Sequence, residues 1–113
     1  MSIREKPIEW RDTSLEDLKT FPIEAIKHFG YELGLIQNGL EPSDFKPMPN
    51  LGGGVMELRK RTADGTYRVV YVAKFERAVF VLHSFQKKTQ KTAPKDTATI
   101  KARYAALVKE LQQ

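Results

Sequence analysis

The residues that could do chemistry are mainly cations, and they gather in the second half of the chain. Arg59, Lys60 and Arg61 stand together, Arg68 follows in the next apolar run, and Lys87, Lys88, Lys91 and Lys95 lie in a stretch with no acid between them. A guanidinium stays charged and grips a phosphate bidentately, whereas a lysine acts as a mobile point charge. Cleaving RNA without a metal needs an activated 2′-hydroxyl, a stabilised phosphorane and a protonated 5′-oxygen. Arg68 suits the second task best. Glu57 is the carboxylate placed to act nearby, either as a base or, the favoured reading, as the counter-ion that holds Arg68 or Arg59.

Other candidates are weaker. His83 has the chemistry of an acid or base, but its neighbours Val79, Val81 and Phe85 favour a hydrogen-bonded core histidine. His28 lies beside an apolar helical stripe and reads as structural or solvent-facing. Tyr67 and Tyr71 alternate with Val69 on the face opposite Arg68, and read as core residues rather than stacking platforms. The run Gly52–Gly54 lacks the GxxxxGK[ST] pattern of a phosphate loop, and Ser84 lacks the glycines of a nucleophile elbow. With no cysteine in the chain, thiol nucleophiles and disulfides are excluded, and neither a metal site nor a cofactor is expected.

These residues must be positioned by a small set of elements. Pro7 to Trp10 fits a short edge strand. Thr13 and Glu16 have capping-box spacing before a short helix through Leu15 and Leu18. Pro22 suits the first turn of a second helix, in which Ile26, Phe29, Leu33 and Ile36 form one stripe, and Asn38 and Gly39 end it. Residues 39–53, rich in proline and glycine, read as a long connection. Met56 to Arg59 alternates, Ala63 to Thr66 is a turn signal, and Tyr67 to Ala73 and Ala78 to Phe85 are apolar on both sides. These three strands make an antiparallel meander. Gln86 to Lys95 reads as a loop, and Ile100, Tyr104, Leu107 and Leu111 predict a terminal helix. The expected class is α+β, in two layers around one core.

In a meander the end of the first strand, the start of the second and the end of the third share one rim. Arg59, Lys60, Arg61, Arg68, Lys87, Lys88, Lys91 and Lys95 should therefore converge there. The overall charge of +5 hides this concentration, because residues 1–50 carry 6 basic and 9 acidic side chains while residues 51–113 carry 13 and 5. A cationic rim calls for an anionic polymer. The longest apolar runs, Val69–Ala73 and Ala78–Leu82, fall far short of the roughly 20 residues a membrane helix requires. With no secretory signal in the first residues, the expectation is a soluble cytoplasmic protein that has no membrane partner.

Several stretches carry a family resemblance: PIEW, SLEDLKTFP, GYELGLIQNGLEPSDFKPM, GGGVMELRKR, GTYRVVYVA and VLHSFQKKTQKT. In order and spacing they resemble the phage-related, HigB-like branch of the RelE/ParE toxin superfamily of type II toxin–antitoxin systems. The resemblance spans nearly the whole chain, so residues 1–113 are expected to form a single RelE/ParE-like domain. It implies N-terminal helices on a twisted antiparallel sheet, a C-terminal helix, and a metal-independent mRNA interferase acting on free RNA or on the translating ribosome. A cognate helix-turn-helix antitoxin is the implied partner. The strand arginine of the YR motif falls on Arg68 and the basic residue after the last strand on Lys87 or Lys88. Glu57 and Arg59 are left to assist proton transfer or orient Arg68, and Lys60, Arg61, Lys91 and Lys95 to bind RNA. The chain departs from RelE-type nucleases in having Val55 and Glu57 where they place lysines, and Tyr104 does not match their C-terminal tyrosine. A non-catalytic, ParE-like binder is the alternative.

Overall fold

A computed structural model describes residues 5–88 and 91–112. The chain runs β1 (Ile8–Trp10), α1 (Ser14–Leu18), α2 (Ile23–Gln37), β2 (Phe45–Pro47), a single 3-10 turn (Pro49–Leu51), β3 (Val55–Thr62), β4 (Gly65–Val72), β5 (Val79–Lys87) and α3 (Pro94–Leu111). The five strands form one sheet in the order β1-β5-β4-β3-β2. The expected meander is its centre, and β3 meets β4 through a tight turn in which Thr62 pairs with Gly65.

The edges depart from expectation. β1 pairs parallel with β5, so the sheet is mixed rather than purely antiparallel. Running alongside β5, it delivers the chain to α1, where the Arg11 N–H and the Ser14 hydroxyl both donate to the Val81 carbonyl. The other edge is β2, which lies inside the stretch expected to be a plain connection and pairs antiparallel with β3. Pro47 is tolerated because an edge strand needs no donor on its outer side.

The sheet is covered on both faces, so three layers replace the expected two. Tyr67, Val69, Tyr71, Val79 and Val81 pack against Leu18, Phe21, Ala25, Phe29 and Leu33 of the α1–α2 segment. Their alternate neighbours Val70, Val72, Phe80 and Leu82 pack against Ile100 and Leu107 of α3. A central strand apolar at successive positions requires two covers, one for each parity.

Local signals fared unevenly. The α2 stripe is buried, and the helix closes with Gly39 at φ +75, the Gly39 N–H donating to Ile36 and the Leu40 N–H to Leu35. That is the pattern of a Schellman ending, which favours glycine. The capping box does not form: the Thr13 hydroxyl donates to the Asp17 carboxylate instead. The Gly52–Gly54 run lies against α3 and a loop lysine. A Cβ on Gly52 would sit 2.6 Å from the Tyr104 ring, and one on Gly54 2.7 Å from the Lys74 side chain. Tyr104 donates its hydroxyl to the Gly53 carbonyl at 2.8 Å. Among the described residues no helix is long and apolar enough to cross a membrane.

Candidate functional site

Strand parity decides which cations meet. The register pairs Glu57 with Val70, Arg59 with Arg68 and Arg61 with Thr66, which puts Glu57, Arg59, Arg61, Thr66 and Arg68 on the α3 side of the sheet. β5 would not join them by simple alternation. Phe80 and Leu82 face α3, so an unbroken strand would turn Phe85 and Lys87 away. A bulge intervenes, with Val70 opposite His83 but Tyr71 opposite Val81. The extra residue, Leu82, reverses the parity. Phe85 then lies opposite Arg68 and Lys87 opposite Thr66, both on the α3 face. Bulges re-aim side chains in this way near functional sites.

α3 covers only part of that face. Toward the β3–β4 turn the sheet is open, and a polar recess there is lined by Lys46, Arg59, Arg61, Arg68, Lys87 and Lys88, with Thr66 among them. The expected convergence of three strands is therefore present for Arg59, Arg61, Arg68, Lys87 and Lys88. Lys46 was missed; it enters because β2 pairs it with Glu57. The apolar–polar–proline alternation of Phe45, Lys46 and Pro47 was the available sign. Lys60 pairs with Tyr67 and so lies on the opposite face. Lys91 and Lys95 line an adjoining recess with Lys87, Lys88, Phe85 and Asp96. Lys87 belongs to β5 and Lys95 to the first turn of α3, so the expected loop is shorter than Gln86–Lys95, and its Thr89 and Gln90 lie outside the described residues.

The charges are partly paired. Arg68 Nη1 donates to Glu57 Oε1 at 2.5 Å, and both side chains are buried. Glu57 is thus the counter-ion of Arg68. Arg59 Nε donates to both Asp44 oxygens, at 3.0 and 3.2 Å, in an exposed pair. Lys87 differs from an ordinary lysine. Its partial burial holds the ammonium pKa below the usual value, and Arg68, Lys46 and Arg59 push the same way while Glu57 opposes them.

His83 is buried, as the apolar context suggested. Its Nε2 lies 2.7 Å from Asp96 Oδ1, and its ring stacks on Phe85 with centroids 4.8 Å apart. Arg103 Nη1 approaches Nδ1 at 3.5 Å and donates to the Leu82 carbonyl at 2.8 Å. A ring with its proton on Nε2 satisfies both contacts. The pair ties the first turn of α3 to β5 beside the basic recess. On the other face, buried Glu32 accepts from the Ser43 N–H at 3.1 Å and from its hydroxyl, fixing the loop that carries Asp44. Nothing in the spacing of Glu32 within α2 distinguished it beforehand from a solvated helix acid.

No curated protein matches the chain. A family model described as phage derived protein Gp49-like (DUF891) matches residues 16–105, from α1 into α3.

Proposed function

The chain belongs to the phage derived Gp49-like family, which is associated with toxins of toxin–antitoxin systems, and on that premise we propose that it is a HigB-like, RelE/ParE-type toxin that cleaves mRNA without a metal. The observation that carries this reading is geometric: Lys46, Arg59, Arg61, Arg68, Lys87 and Lys88 converge on one open recess of the α3 face. In the proposed reaction Lys87 is the base and takes the proton of a 2′-hydroxyl. The 2′-oxygen attacks phosphorus, the P–O5′ bond breaks, and the 5′-oxygen leaves with a proton from a neighbouring ammonium or water. Arg68 and Arg59 stabilise the added negative charge of the phosphorane. Glu57 holds the Arg68 fork, while Lys88, Lys91 and Lys95 continue the path of the backbone. A helix-turn-helix antitoxin covering these cations would compete directly with RNA.

The test is incubation of the purified protein with single-stranded RNA in the presence of a chelator, and separately with mRNA on translating ribosomes in magnesium buffer. Fragments ending in 2′,3′-cyclic phosphate are expected, and Lys87→Met should abolish them. RNA left intact both on and off the ribosome would overturn the reading. One observation favours a second reading, a ParE-like binder without catalysis: the Arg68 guanidinium is already engaged by Glu57. That reading expects growth arrest with intact mRNA.

A further inference from the structure

The buried ion pair is incompletely satisfied. Glu57 Oε1 accepts from Arg68 Nη1, but Glu57 Oε2 and Arg68 Nε are both almost wholly buried and have no hydrogen-bond partner. The two residues also border different cavities. Arg68 lines the cationic recess, whereas Glu57 lines a neighbouring pocket of about 300 Å³ with Asn50, Leu51, Thr92 and Thr97. Lys46 and Lys87 line both. The recess is a place for phosphate. The pocket shares cations with the recess, being lined by Lys46, Lys87 and Lys91, but adds what the recess lacks: a buried carboxylate, an amide, further hydroxyls and the apolar side chains of Met48 and Leu51. At the Glu57 carboxylate itself, a buried acceptor with no partner favours an N–H donor.

We propose that this pocket takes the nucleobase beside the bound phosphate, and that Glu57 Oε2 accepts a hydrogen bond from that base's exocyclic amino group. The proposal rests on the RNA-binding part of the function proposed above. Adenine, cytosine and guanine carry such a group, whereas uracil has a carbonyl oxygen in place of cytosine's amine, which the carboxylate repels. Asn50, Thr92 and Thr97 are placed to serve the base's remaining polar atoms, and Leu51 its ring. The volume is at the small end of ligand sites, which span about 300–1,000 Å³. It suits a base alone, with the phosphate left to Arg68. Glu57 would then do two things at once, orienting the guanidinium with one oxygen and selecting the base with the other.

The test uses short single-stranded uridine oligomers with 2′-fluoro sugars, which block cleavage, and matched oligomers with one central adenine, cytosine or guanine. Binding is read by fluorescence anisotropy. At least one amino-bearing base should bind about tenfold tighter than uracil, in line with a good base contact. Replacing adenine by purine, cytosine by 2-pyrimidinone or guanine by hypoxanthine removes the amine alone and should return the affinity to that of uracil. Glu57→Gln should reduce the preference. Because that change also touches Arg68 and could impair folding, Thr97→Val serves as a second variant, expected to shrink the ratio between preferred base and uracil. Tight, salt-sensitive binding with equal affinity for all four bases, or undiminished affinity for the analogue without the amine, overturns the base pocket and leaves the nuclease reading standing. Absence of binding by any oligomer overturns the base pocket, while the nuclease reading is decided separately by the ribosome assay.

Discussion

The two faces of the sheet are built from the same strands, yet one is closed and the other is left half open. On the α1–α2 side Tyr67, Val69 and Tyr71 meet Phe21, Phe29 and Leu33, and these β4 positions are all buried. On the α3 side the apolar pattern runs from Val72 to Val70 and then gives way to Arg68. The closed face provides stability. The open half carries cations that hydrophobic burial alone would not select, including a buried ion pair whose desolvation offsets much of its attraction. A charge kept in such a place points to use rather than support.

The largest expected effects separate the faces by stability. Phe29→Ala should cost about 3–5 kcal/mol of unfolding free energy in urea, the range for deleting a fully buried aromatic. Arg68→Met should cost a similar amount, about 3–5 kcal/mol, because it strands the Glu57 charge. The sharper comparison is the double variant Arg68→Met/Glu57→Leu, expected to recover most of that loss while abolishing RNA binding. If stability stays low in the double variant, the pair supports the fold more than the site.

The next effect is a pH dependence that arises on the closed face. Burial, together with Glu32 and Glu41, pushes the Tyr71 hydroxyl up to about 12 from its ordinary 10. Because the folded value is the higher one, this contribution is intact below pH 10 and is lost as pH rises toward 12. At ~1.4 kcal/mol per pH unit the loss approaches about 3 kcal/mol. Denaturant melts of the wild type and Tyr71→Phe across that window should diverge by this amount; parallel curves would place Tyr71 in contact with water.

Much of this arrangement was legible beforehand and part was not, for identifiable reasons. The β3–β4–β5 meander follows from alternation in Met56–Arg59 and from the apolar runs Val69–Ala73 and Ala78–Leu82. The burial of Ile100 and Leu107 follows from helical spacing. The bulge does not follow, because a strand apolar on both faces has no parity signal, so one extra residue at Leu82 leaves no trace in the pattern. Without it Lys87 would face away from Arg68. β2 was hidden by its three-residue length and its proline, and Lys46 with it. Glu57 as counter-ion was readable from its cross-strand neighbourhood; its second, unpartnered oxygen was not.

The smallest effect concerns single phosphate contacts. Arg61→Ala should leave stability nearly unchanged, since the side chain is exposed at the end of β3. It should lower the slope of log affinity against log salt on single-stranded RNA by about 0.7. An unchanged slope would remove Arg61 from the path of the backbone.

The most direct measurement pairs Lys87→Met with Lys60→Met, two lysines removed from opposite faces of the same sheet. Each variant and the wild type would be expressed in cells, and the ends of cellular mRNA mapped. Extensive new ends are expected with the wild type and with Lys60→Met, and none with Lys87→Met. Intact mRNA with the wild type, or equal fragmentation by both variants, would contradict the assignment of the open face as a nuclease site.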